Sequence, residues 1–291
     1  MTSLGFPSKF NKDVSSVIAS FLIIQKMKLR DWIPLEKLDF EYLQTQSNSI
    51  EIIEQNPDKI NWIFLSENPG AIELIEKNLD KVYWDILSSN PAAIHLLEKN
   101  LDKVCWRRLS GNQAAINILE KNPDKINWFI LSKNPSAIRI LEKNLDKVSW
   151  VNLSENSAAI HILEKNLDKI HSYELSLNHC AIHIFEQNPD KIDWCGLSRN
   201  PRAIHILEKN PNKIHWSLLS LNPSAIHMLE KNLDKIDWYL LSYNPNAMSI
   251  LEKHKDKIDW YIMSKNPSIF VPDIERTQEL KNEWINTIYN L

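Results

Sequence analysis

Apolar and polar positions along this chain recur with a period of 22 residues. Counted from Trp62, steps of 22 land on Trp84, Trp106, Trp128, Trp150, Ser172, Trp194, Trp216, Trp238 and Trp260, and one step back lands on Phe40. No insertion or deletion interrupts the series, and nine of the eleven tryptophans share this phase. The heptapeptide NPDKINW at 56–62 therefore returns at 122–128, three periods on. With the anchor as position 0, apolar columns stand at 0, 3, 9, 10, 12 and 13; in the unit 62–83 they are Trp62, Leu65, Ala71, Ile72, Leu74 and Ile75. The polar columns are as strict. Glu stands at 14 and Lys at 19 in all ten complete units, and Ser at 4 and Asn at 6 in ten of eleven. A fixed period in this range marks an array of stacked supersecondary units.

Each unit is punctuated by Asn-Pro at two places. Asn68 suits a helix cap with Pro69 as first helical residue, because proline pushes the preceding residue out of helical space. The pattern predicts one helix through PGAIELIEK and a second starting at Asn78 and running through LDKVYWDILS, each of roughly nine residues. Such helices are too short to persist alone in water, so their apolar columns must be buried by neighbouring units. The expected fold is all-α: an α-solenoid of about ten 22-residue helix-turn-helix repeats with N- and C-terminal capping helices. At interaxial distances of about 8–10 Å the array would be a superhelical rod about 90–110 Å long. The expected boundaries are an N-terminal cap over 1–39, the array over 40–270 and a closing helix over 271–291. Val14, Val17, Ile18, Phe21 and Leu22 lie at helical spacing in the first cap, and Ile274, Leu280, Trp284 and Ile288 should face inward from the last. Ser172 replaces the anchor Trp in one unit, and His179 and Cys180 replace the usual Pro and small residue, which predicts a bend or soft point near 165–185.

Composition narrows the picture. With 34 basic and 37 acidic residues the net charge is -3, which gives no general drive toward nucleic acid or an anionic membrane. Four glycines all but exclude a phosphate-cradling loop and argue against a turn-rich all-β fold. Cys105, Cys180 and Cys195 match no zinc or redox spacing and read as buried thiols of a reducing, cytoplasmic compartment. The most apolar run, VSSVIASFLII at 14–24, is too short to span a bilayer.

The unit ILEKNPDKINWxxLSxNPxAIxILEKN resembles repeats found in many copies in large DNA viruses of amoebae, over about residues 40–270. The resemblance implies architecture and origin, with the host-cell cytoplasm as location, and no catalytic residues. DVSSVIASFL at 13–22 also resembles the opening helix of an F-box, which implies a ubiquitin-ligase adaptor that uses the array to hold a target.

Ten copies of a Glu or Lys column are not a catalytic site, and no ordered catalytic triad or metal spacing appears; no enzyme activity, cofactor or metal is expected. Glu76 ends its helix, where the dipole disfavours a carboxylate, so it needs a partner, Lys81 or the next helix's free N–H groups. The Trp column reads as core. His161, His183, His205 and His227 share one column in four successive units, joined by His95, as an exposed stripe. The best pointer to function is where units differ. The position after the anchor, a solvent-facing stripe, holds Phe129, Tyr173, Tyr239 and Tyr261, large for bare surface, and Arg107, which forms the one local basic spot with Arg108. The expected function is a non-enzymatic scaffold, a monomer or weak oligomer, that binds a protein or peptide along one face. The alternatives are a single-stranded nucleic-acid binder using Lys and aromatic columns, and the F-box-like adaptor.

Overall fold

In a computed structural model the chain is described over residues 25–289, so the expected helix at Val14–Leu22 and the F-box-like segment lie outside the described residues. Two compact units are present. The smaller joins both flanks of the chain. In it, strand β1 (Met27–Leu29) pairs antiparallel with strand β2 (Phe270–Pro272), Lys28 opposite Val271. A helix, Ile274–Tyr289, follows β2. Leu280 and Trp284 on this helix are half-buried, but Ile274 is 74 % exposed, contrary to expectation, and Thr277 takes the buried position instead.

The larger unit, Glu36–Ser268, is the array, an all-α solenoid of eleven repeats anchored at Phe40 through Trp260. Each repeat is more finely divided than its apolar pattern predicts. Repeat 4 runs as an α-helix Trp106–Gly111, a 3-10 turn Gln113–Ala115, an α-helix Ile116–Lys121 and a 3-10 turn Pro123–Lys125. The chain then extends through Ile126 (φ -63°, ψ 127°) before the next helix starts at Trp128. No single helix runs through LDKVYWDILS, because the residue before the anchor is itself an N-cap. Side-chain oxygens of Asp39, Asn61, Asn127, Asp193, Asp237 and Asp259 accept N–H bonds from the helix that follows. The side chains of Asn78 and its equivalents cap backward, the Asn78 Nδ2 donating to the carbonyl of Leu74, while the Asn78 carbonyl opens the following turn by accepting from the Lys81 N–H.

Three columns form the dry core: Leu at position 3, Ala at 9 and Leu or Ile at 13, as in Leu153, Ala159 and Leu163. The anchor indoles, expected in that core, are half-buried in every repeat that has one. Five of these indoles, and Phe40, are roofed by the Lys at position 19. Lys59, Lys81, Lys103, Lys147, Lys169 and Lys235 place Nζ 4.4–5.6 Å from the ring centroids of Phe40, Trp62, Trp84, Trp128, Trp150 and Trp216. An indole is too large to vanish into a two-helix layer, and an ammonium on its face recovers about 0.5–1 kcal/mol at such exposed sites.

Neighbouring repeats are laced by two buried polar ladders. The Ser at position 4 accepts from the backbone N–H that precedes the next anchor, as Ser66 Oγ does from Tyr83. The Asn at position 6 donates through Nδ2 to the Ser and Asn carbonyls of the preceding repeat, at 3.1 Å each for Asn90, and its Oδ1 accepts from the N–H two residues on. Ten asparagines make this bridge, at 2.8–3.4 Å. Each caps a turn and ties two repeats together with no amide hydrogen or oxygen unused.

Both ladders close on themselves. Asp39 N–H donates to Ser264 Oγ of the last repeat at 2.7 Å, the same bond made by ten other joints, with Gln44 Oε1 standing in for serine at one of them. Gln46 replaces the first Asn and donates Nε2 to the Ser264 carbonyl at 2.5 Å. The lysine roof closes too, with Lys37 Nζ 5.1 Å from the centroid of Trp260. The array is therefore a ring and not the expected rod. Its first and last repeats complete each other's bonding and leave the array no free end to cap.

The anchorless repeat 7 does not interrupt the lattice. The helix Ser172–Leu177 forms, and Asn178 makes both of its bridges. The space left by the indole is taken up by closer approach of the next helix, Trp194–Arg199. Gly196 in that helix is fully packed, and a Cβ there would stand 2.6 Å from the Tyr173 carbonyl oxygen and 2.9 Å from Ser176 Cβ.

Candidate functional site

The surface separates into a constant and a variable part. On the constant part, Glu76 does not pair with Lys81, whose ammonium lies over Trp62. At four joints the Glu at position 14 pairs with a histidine of the next repeat: His95 Nε2 to Glu76 Oε1 at 2.6 Å, His161 to Glu142 at 2.6 Å, His183 to Glu164 at 2.7 Å and His227 to Glu208 at 2.9 Å. His205 makes no such bond among the described residues. These contacts are half exposed, so each is worth up to about 1 kcal/mol. His95, His161, His183 and His227 thus act as struts between repeats while staying about half exposed.

A groove of about 340 Å³ opens between repeats 8 and 9, lined by Glu208, Asn212, Trp216, His227, Lys231 and Lys235. Its Glu208 and His227 are paired to each other, and Lys235 Nζ sits 4.4 Å over Trp216. Among the described residues no group of His, Cys, Asp or Glu is arranged to hold a metal ion. No helix among them is long and apolar enough to cross a membrane.

The variable part follows the first helix of each repeat. Phe129, Tyr239 and Tyr261 are 59 %, 53 % and 50 % exposed, and Tyr173 is half-buried in the tight joint with repeat 8. Arg107 and Arg108 are both exposed. Arg108 Nε lies 3.0 Å from Asp85 Oδ2. The Cys105 thiol and then the Arg108 guanidinium hold the Asp85 carboxyl below its ordinary range, against desolvation that raises it. Cys105, Cys180 and Cys195 are unpaired and half-buried rather than fully buried as expected.

The densest aromatic cluster on this face lies at the closing joint, and sequence reasoning found only one member of it. Tyr261 of repeat 11 meets Tyr42 of repeat 1, with hydroxyls 2.8 Å apart, ring centroids 5.1 Å apart and planes at 89°. Phe64 of repeat 2 packs edge-on against Tyr42 at 5.7 Å. Lys265 Nζ stands 3.8 Å from the Tyr42 centroid and 5.1 Å from that of Tyr261. Tyr261 is pushed up to about 12, chiefly through its hydrogen bond with Tyr42. The Tyr42 phenol is lowered by the bond from Tyr261 and by Lys265. Tyr42 stands at position 2 of the first repeat and Lys265 at position 5 of the last, so no single column marks them. Exposed Tyr243 stands at position 5 of repeat 10, one helical turn after position 1 on the same stripe. No protein-family model, curated protein or solved structure matches the chain at a significant level.

Proposed function

We propose that the ring is a non-enzymatic scaffold that holds a protein or peptide partner on its variable face. The observation that carries this reading is the contrast between faces. The constant columns are spent on the ring itself, in Asn ladders, Lys roofs and Glu–His struts. The most exposed aromatic side chains, Phe129, Tyr239, Tyr83, Tyr261 and Tyr243, belong to individual repeats. Exposed aromatics are the residues that dominate binding at interfaces. Five of the ten column lysines that a nucleic-acid reading would direct at phosphates lie instead on indole faces, which favours the peptide reading. Free thiols fit a cytoplasmic setting.

The test is selection from a displayed random-peptide library on the intact chain, followed by titration of the selected peptides. Phe129→Ala or Tyr239→Ala should lower affinity about tenfold or more, while Lys77→Ala and Lys143→Ala leave it unchanged. Binding that ignores the aromatic substitutions, or single-stranded RNA binding that falls steeply with salt, would overturn it.

A further inference from the structure

We propose that Tyr42 and Tyr261 form an oxidative cross-linking site, at which a one-electron oxidant couples the two phenols into dityrosine and so seals the ring covalently. Of the eleven joints, ten are continued by the peptide chain, and the joint between repeats 11 and 1 is held by non-covalent contacts alone. That is where two tyrosines face each other. A hydroxyl contact of 2.8 Å with centroids only 5.1 Å apart and planes at 89° means the rings meet edge to face with their hydroxyl ends together, and not tip to tip. A small rotation of either ring about its χ2 brings an ortho carbon beside one hydroxyl to an ortho carbon beside the other. Tyr261 is half exposed, so a diffusing oxidant reaches the pair.

The chemistry balances. Each phenol gives up one electron to the oxidant and one proton to solvent. The two phenoxyl radicals join through a new ortho–ortho carbon–carbon bond. Tautomerisation then moves each ortho hydrogen onto its own ring oxygen, which restores both aromatic rings and both hydroxyls. The net change is two electrons and two protons lost and one bond gained. Lys265 aids the first step, since an ammonium beside Tyr42 favours its phenolate, the more easily oxidised form. The Tyr261 phenol keeps its own proton and shares it with Tyr42.

The experiment is brief photo-oxidation of dilute full-length protein with tris(bipyridyl)ruthenium and persulfate. Dityrosine fluorescence should appear in monomeric protein, and tryptic digestion should yield peptide 38–59 joined to peptide 258–265. The signal should fall to background in Tyr42→Phe and in Tyr261→Phe and persist in Tyr239→Phe, with circular dichroism showing all three folded. Emission retained in either seam variant, cross-links confined to other tyrosines, or only intermolecular dimers would overturn the proposal. The result is independent of whether the variable face binds a peptide.

Discussion

The ten peptide-linked joints and the one closing joint do the same job with different residues. Inside the array, Asn at position 6 places two donor bonds on the preceding repeat, and Ser at position 4 accepts one from the next. At the closing joint Gln46 makes one such bond, Asp39 still reaches Ser264, and a tyrosine pair with a lysine covers the outside. Where the chain does not supply proximity, extra aromatic contact makes up for it. The bonding pattern is thus a property of the interface geometry, and side chains are free to change as long as an amide or hydroxyl reaches the same backbone atoms.

The largest effect that sharpens this comparison is in the shared core. Leu153→Ala, at an internal joint, should cost about 2–5 kcal/mol in chemical denaturation, and Met263→Ala beside the closing joint a similar amount, since both side chains are fully buried. A much smaller loss at Met263 would mean that the last repeat is only loosely seated. Next come the amides. Asn134→Ala strands two buried carbonyls and a turn cap and should cost about 2–4 kcal/mol, whereas Gln46→Ala, with one ladder bond, should cost about 1–2 kcal/mol. Equal costs would show the two kinds of joint to be energetically alike. Gly196→Ala should then lose about 1–3 kcal/mol, because its Cβ meets backbone that must move. At the small end, Lys103→Ala and Lys37→Ala should each cost about 0.5–1 kcal/mol. Tyr42→Phe should bring the Tyr261 phenol down from about 12 toward its ordinary range, read as phenolate absorbance on alkaline titration.

Much of the framework was legible in the sequence because each column does one thing in every copy. The Ser, Asn and Leu columns at 4, 6 and 3 were visible as invariants, and Asn68 caps its turn as expected. The errors have physical causes. Asp193, Asp237 and Asp259 just before the anchor were a legible N-cap signal, but the apolar Ile or Val one residue earlier looked like helix continuing. Glu76 and Lys81 looked like a pair by charge, while Trp62 and His95 offered each a better-placed partner. Ring closure was not legible, because the turn per joint depends on how unequally the two faces of a repeat are spaced, which no column states. Of the variable face, position 1 gave Phe129, Tyr239 and Tyr261, whereas Tyr42 and Lys265 join them only after the circuit is complete.

That circuit constrains how the gene can change. Near-identical 22-residue units invite unequal recombination, which adds or drops whole copies. An open solenoid absorbs such drift by growing or shrinking at one end. Here every joint must turn by one eleventh of a full circle, so a twelfth copy or a tenth would oblige all the others to bend differently at once. Point substitution within units, and not copy-number variation, is the route by which this architecture diversifies.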